Sequence, residues 1–180
     1  MSVFSNAAGS ATGNAEAYTR ALMDLLGDRD PLAVFAELPD AVAELTAGLD
    51  DDSARVPERE GKWSVLQVVQ HLIDSETVYG FRTRLIVASP GCTILGYDQD
   101  RWASDLHYQQ ESLAQAIPEL RALRGRNLRF VQRLSDAELD RVGMHNERGP
   151  ESVRHLIRML AGHDLLHRAQ LARIRTAIGR

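Results

Sequence analysis

The sequence predicts an all-α fold, a four-helix bundle, and three observations carry that expectation. Apolar residues recur three or four positions apart over four long segments. Connections of about ten to fifteen residues, marked by Gly, Pro, Ser and Asp, separate these segments. No stretch alternates apolar and polar residues for long, so strands are expected to be essentially absent.

Taken in order, residues 1–13 (MSVFSNAAGSATG) are rich in Ser, Ala and Gly and read as a flexible leader, with 14–180 as a single domain. Asn14 can cap a first helix that places Tyr18, Leu22, Leu25 and Leu26 on one side and stops at Gly27-Asp28. Asp30-Pro31 marks the next start, the aspartate as cap and the proline at the first helical position. Leu32, Phe35, Leu38, Val42, Leu45 and Leu49 follow at helical spacing, and Pro39 predicts a kink or a division. The acidic run Asp50-Asp51-Asp52 and the polar residues up to Gly61 are expected to form a loop.

Ser64 then caps a long helix, with Gln67 in the partner position of a capping box. Its apolar pattern runs from Val65 to about Ala88, where Ser89-Pro90-Gly91 ends it. The connection CTILGYDQDRW reads as non-helical. It mixes polar and aromatic residues, Tyr97 and Trp102 among them, as loops that line a site mouth do. A third long helix is expected from about Ser104 to Leu134, bent near Pro118 and Gly125. One short turn follows at Ser135. Val142 to Pro150, which holds His145 and Gly149, reads as a loop, and Glu151-Ser152 opens the last helix.

Composition narrows the function classes. The chain has 180 residues, 44% hydrophobic and 26% charged, the balance of an ordinary globular domain. A net charge of −4 gives no basic footprint for nucleic acid. Met1 to Asn14 lacks the pattern of a signal peptide, and no apolar run reaches membrane-spanning length, so no membrane partner and a cytoplasmic location are expected. Cys92 is the single cysteine, which excludes an internal disulfide and a cysteine-based zinc site.

Gly162-His163-Asp164-Leu165-Leu166-His167-Arg168-Ala169-Gln170 holds the chemistry. With Leu160 at zero on a wheel of about 100° per residue, His163 falls near −60° and His167 near −20°, within or beside the stripe of Val153, Leu156, Leu171 and Ile174. Two imidazoles one turn apart therefore point into the core, and His71 borders the buried stripe of the second long helix. Three neutral imidazoles can take three corners of a tetrahedral or octahedral metal site and leave positions for water or substrate. The alternative is a set of core histidines satisfied separately by backbone or carboxylates. No HExxH pattern is present.

Other polar residues have lesser claims. Asp74, three positions after His71, could orient a ligand or act as a base, and a helix salt bridge would explain it as well. His145 could reach the site as an acid or base from its loop. Gln170, three after His167, could hold a hydrogen bond behind the ligand. Arg82 and Arg84 could attract an anionic substrate or lie on the surface. Cys92 has no neighbouring base in the sequence.

The chain resembles the DinB/YfiT-like superfamily, DinB_2 type. The resemblance rests on Gly61-Lys62-Trp63-Ser64-Val65 leading to His71-Leu72-Ile73-Asp74-Ser75-Glu76, then Tyr97-Asp98-Gln99-Asp100-Arg101-Trp102, the His145…Gly149 loop and Gly162-His163-Asp164…His167…Gln170. It spans about Leu32 to Ile178. It implies an up-down-down-up bundle with a long crossover between helices two and three, and a divalent metal, zinc or nickel, at His71, His163 and His167. It also implies a homodimer.

The reaction the resemblance suggests first is transfer of a low-molecular-weight thiol, of the bacillithiol or mycothiol kind, to a small electrophile entering near Tyr97 and Trp102. The second is metal-dependent hydrolysis, with Asp74, Glu76 or His145 as the base on offer. The third is a non-catalytic stress or damage-inducible metal-binding protein.

Overall fold

The computed structural model describes residues 15–179. The expected leader, residues 1–13, and the Asn14 cap lie outside them. Helix α1 spans Ala15–Leu26 and ends at Gly27, whose φ of 56° suits a residue without a Cβ. Helix α2, Pro31–Thr46, starts as its sequence dictates, with the Asp30 carboxylate accepting from the Leu32 N–H at 3.0 Å. Pro39 does not divide it. The ring is buried and adds to the core, against the backbone hydrogen bond it removes. The expected loop after it contains a one-turn helix, α3 (Asp51–Ala54), because Asp50 and Ser53 cap each other reciprocally.

Helix α4, Val65–Ala88, carries the predicted box. Gln67 N–H donates to Ser64 Oγ at 3.3 Å and Ser64 N–H to Gln67 Oε1 at 3.0 Å. The crossover after it is more structured than the sequence suggested. It holds strand β1 (Thr93–Ile94), helix α5 (Gln99–Asp105) and a 3-10 turn (Tyr108–Gln110) before helix α6 (Leu113–Val131). The single helix expected from Ser104 to Leu134 is therefore broken. His107 lies at φ 55°, ψ 43°, a left-handed conformation that no α-helix accommodates. Leu106 and Leu113 fit a helical period only by their spacing, and Leu106 is exposed.

A one-turn helix, α7 (Asp136–Leu139), leads to strands β2 (Val142–His145) and β3 (Gly149–Ser152), and then to helix α8, Val153–Ala177. The expectations of no strands, and of a loop from Val142 to Pro150, are corrected here. β2 and β3 form an antiparallel hairpin, and β1 pairs parallel with β2 through Thr93 opposite Met144. β2 does alternate between exposed and buried residues, but only over four positions, too few to stand out in the sequence. Gly143 lets the sheet lie on α4, since a Cβ there would come within 2.8 Å of Ile86 Cγ1.

The four long helices α2, α4, α6 and α8 form the bundle. α2 packs on α8 and α6, and α4 packs on the same two. Because the crossover carries the chain back along the bundle, α4 and α6 run parallel, and the order is up-down-down-up. Leu38, Val42, Val69, Leu72, Leu120 and Leu171 fill the space between the helices. α1 lies outside against α8, where Gly162 admits it: a Cβ there would stand 2.2 Å from the Leu22 carbonyl oxygen. Among the described residues no helix is long and apolar enough to cross a membrane.

Candidate metal centre

His71 comes from the second turn of α4, and His163 and His167 come from successive turns in the middle of α8. The antiparallel contact of these helices brings the three rings together in the core. They are 0%, 3% and 3% exposed, and one ring nitrogen from each lies within 4.8 Å of the other two. Ring centroids are separated by 5.0 Å (His71–His163), 4.8 Å (His71–His167) and 4.3 Å (His163–His167).

The donor geometry fits a single ion. His71 Nε2 and His163 Nε2 are 2.9 Å apart. Two nitrogens bound to one divalent ion at about 2.0–2.1 Å stand about 2.8–3.4 Å apart in octahedral or tetrahedral geometry. His167 Nδ1 lies 2.7 Å from Gln170 Oε1, an acceptor, so the proton belongs on Nδ1 and the lone pair on Nε2. That Nε2 is buried and has no partner among the described residues.

Burial pushes all three imidazoles below the ordinary histidine value, His167 to about 4. For His71 and His163 the repulsion that a protonated His167 would exert adds to the effect. The three rings are therefore neutral at neutral pH, the state in which imidazole ligates metal.

Gln170 places its side-chain oxygen 2.7 Å from His167 Nδ1. Asp74 is half-buried and accepts from the Tyr108 hydroxyl, and burial raises its carboxyl above the usual range. Tyr97 and Trp102, both half-buried, lie 4.4 Å apart between ring centroids with their planes tilted by 40°. His145 is buried, but the charges acting on it are those of Arg148, Glu151 and Arg82 in the region of the hairpin; it does not join the imidazole cluster. Arg82 is buried and donates to the Leu95 carbonyl. Arg84 donates to Gly80 O and Asn127 Oδ1, both at 2.8 Å. Cys92 is half-buried.

Two features were missed in the sequence. Trp63 packs its ring 5.1 Å from that of His71, beside a pocket of about 490 Å³ that Lys62, Gln67, Asp100 and His107 also line. Behind the histidines lies a buried ionic network. Arg124 grips Asp164 in a bidentate pair at 2.7 and 3.0 Å and reaches Glu76 Oε1 at 2.7 Å. Asn127 donates to the same glutamate at 3.0 Å.

One guanidinium thus faces two carboxylates. Burial drives the Asp164 carboxyl up to about 7 against the pull of Arg124. Burial also opposes the charge of Arg124, but Asp164 and Glu76 hold its pKa above the ordinary value. The network joins α4, α6 and α8, and Asp164 directly follows His163 in sequence. A signal was present: Arg124 is four residues after Leu120 and four before Leu128, in phase with the buried stripe of α6.

Comparison with known proteins gives this site a family. A protein from Oceanobacillus iheyensis, provisionally named a metal-dependent hydrolase, is 29% identical over 133 residues, 72% of this chain and 75% of that one. A Geobacillus kaustophilus protein with the same provisional name is 28% identical over 149 residues, 82% of this chain and 84% of its own. The fold matches that of Bacillus subtilis YfiT, provisionally described as a metal-dependent hydrolase with an unusual four-helix bundle topology. The TM-score is 0.73 at 23% identity, over 82% of this chain and 83% of that one. A model of the DinB superfamily matches residues 35–171, which include all three clustered histidines, and the chain belongs to that superfamily.

Proposed function

We propose that the protein is a metal-dependent enzyme that activates a low-molecular-weight thiol, through His71, His163 and His167, for attack on a small electrophile. The observation that carries the metal site is the set of three buried, neutral imidazoles, with two Nε2 atoms 2.9 Å apart and a third left without a partner. A divalent ion held there, zinc or nickel, supplies Lewis acidity, which makes a sulfur or oxygen donor nucleophilic at neutral pH. Gln170 fixes the tautomer of His167, and Trp63 packs against His71. The adjoining rings of Tyr97 and Trp102 offer an apolar surface to the electrophile.

A thiol suits the site better than water on one count. A thiol with a lowered pKa needs no separate base, and Asp74, the carboxylate three residues beyond His71, already accepts a hydrogen bond from Tyr108. Hydrolysis is the second reading, favoured by the provisional names of the relatives. In it Asp74, with its raised pKa, takes the proton from water.

The test compares zinc- and nickel-loaded protein, with and without chelator. One panel combines monochlorobimane with several low-molecular-weight thiols; the other contains ester, amide and phosphoester substrates. Chelator-sensitive conjugation is expected. Hydrolysis that Asp74→Asn abolishes, with no conjugation by any thiol, would transfer the assignment to the second reading.

A further inference from the structure

Helix α4 carries a polar stripe that continues past the metal ligand. At about 100° per residue, Ser75, Tyr79 and Arg82 fall within about 80° of His71 on the same face. At about 1.5 Å rise per residue, Arg82 stands about 16 Å along the helix from His71. The far end of this stripe is rich in donors and poor in acceptors. Arg82 is 5% exposed, donates to the Leu95 carbonyl, and lies 5.6 and 5.8 Å from the ring centres of Tyr79 and Tyr97. It has no carboxylate partner among the described residues, and residues 1–14 contain no acidic side chain.

Arg148 also acts on Arg82, and the one buried acid in range, Glu151, is held by Arg148 in a two-point pair at 2.5 and 3.0 Å. Glu147 is exposed, and its carboxylate lies over Gly96.

His145 contributes a further donor. Its Nδ1 accepts from the Glu147 N–H at 3.1 Å, so the neutral ring carries its proton on Nε2. That Nε2 is buried without a partner among the described residues, whereas the hydroxyl of Ser75, one turn from His71, is within hydrogen-bonding reach of Tyr97. Burial lowers the pKa of His145 to about 4, which keeps the ring neutral with its Nε2–H in place. Buried donors without acceptors are costly, and a buried guanidinium without a counter-ion more so. An acceptor-rich, negatively charged group resolves both.

We infer that Arg82 and His145, flanked by Tyr97, form a second subsite that binds an oxyanion, carboxylate or phosphate, at the end of the substrate remote from the metal. This rests on the proposed function only in treating the oxyanion as part of the molecule whose reacting atom sits at the three histidines. It makes the substrate class an elongated anionic small molecule.

Calorimetric titration of the metal-loaded full chain tests the subsite without turnover, using glutarate in one arm and inorganic phosphate in the other. Saturable binding is expected for at least one probe, and the arm that binds tighter identifies the source of the oxyanion. Arg82→Ala should weaken it at least tenfold, Arg82→Lys less, with metal content and melting temperature measured alongside. Equal affinity in wild type and Arg82→Ala overturns the inference, including the case where Arg82→Ala only lowers the melting temperature, because Arg82 then does no more than anchor Leu95. Absence of saturable binding to the wild type overturns it too.

In conjugation assays Arg82→Ala should raise KM for glutathione by a larger factor than KM for 2-mercaptoethanol, which has no oxyanion. Anion binding without any conjugation would leave the subsite standing and remove the thiol reading. Conjugation without anion binding would do the reverse.

Discussion

His167 uses one ring nitrogen for Gln170 and leaves the other bare, so Gln170 decides which nitrogen carries the lone pair. Gln170→Ala should release the ring to either tautomer and lower metal affinity about 10–100-fold, the usual effect of losing such a partner. Competition against a chromophoric chelator measures it, and Gln170→Glu, which keeps the acceptor, should stay near wild type. Unchanged affinity in Gln170→Ala would show that core packing alone orients His167. These four residues could be read from the sequence because their relation is helical. His163, His167 and Gln170 follow one another by four and three positions, and His71 reaches them from a stripe whose phase was visible. Trp63 and Arg124 could not be read in the same way. Trp63 precedes its helix and touches His71 only because the chain turns at Ser64, and the partners of Arg124 are on other helices.

Between elements, the buried pairs explain why the ligand-bearing helices hold their relative position. Arg124 of α6 is clamped between Asp164 of α8 and Glu76 of α4, and its guanidinium lies 4.2 Å from the centre of the Phe35 ring of α2. Arg124→Ala leaves two carboxylates facing each other in the core, and removing one partner of a buried pair costs about 3–5 kcal/mol. Urea denaturation should show a loss of that size, whereas a substitution at the exposed Arg121, paired with Asp40, should change stability by less than about 1 kcal/mol. Gly162→Ala tests the outer contact. Its Cβ would collide with the Leu22 carbonyl, which cannot swing aside as a flexible side chain can, so α1 must lift from α8. Earlier proteolytic cleavage within Ala15–Leu26, at unchanged bundle helicity by circular dichroism, is the expected result. The long helices were legible because each repeats its apolar period over many turns. The crossover and hairpin were not, since their elements are two to seven residues long and are set by tertiary contacts such as that of Gly143 on Ile86.

For the molecule as a whole, the donors that would hold an ion come from α4 and α8, the second and last helices of the bundle, and neither helix alone presents the set. An ion at the three histidines therefore binds the folded chain and not the unfolded one, and its binding free energy adds to stability by linkage. At free metal about 100 times the dissociation constant this amounts to about 2.7 kcal/mol. For a domain of this size each kcal/mol moves the melting temperature by about 2–4 °C, so chelation should lower it by about 5–11 °C. Scanning calorimetry of loaded and chelator-treated protein measures the shift. His167→Ala supplies the control: it removes one ligand from the set, so its melting temperature should no longer respond to the chelator. An equal drop in wild type and variant would place the stabilising ion elsewhere on the chain and would separate the three histidines from metal binding. A drop confined to wild type would tie the stability of the bundle to the imidazoles that its antiparallel α4 and α8 bring together.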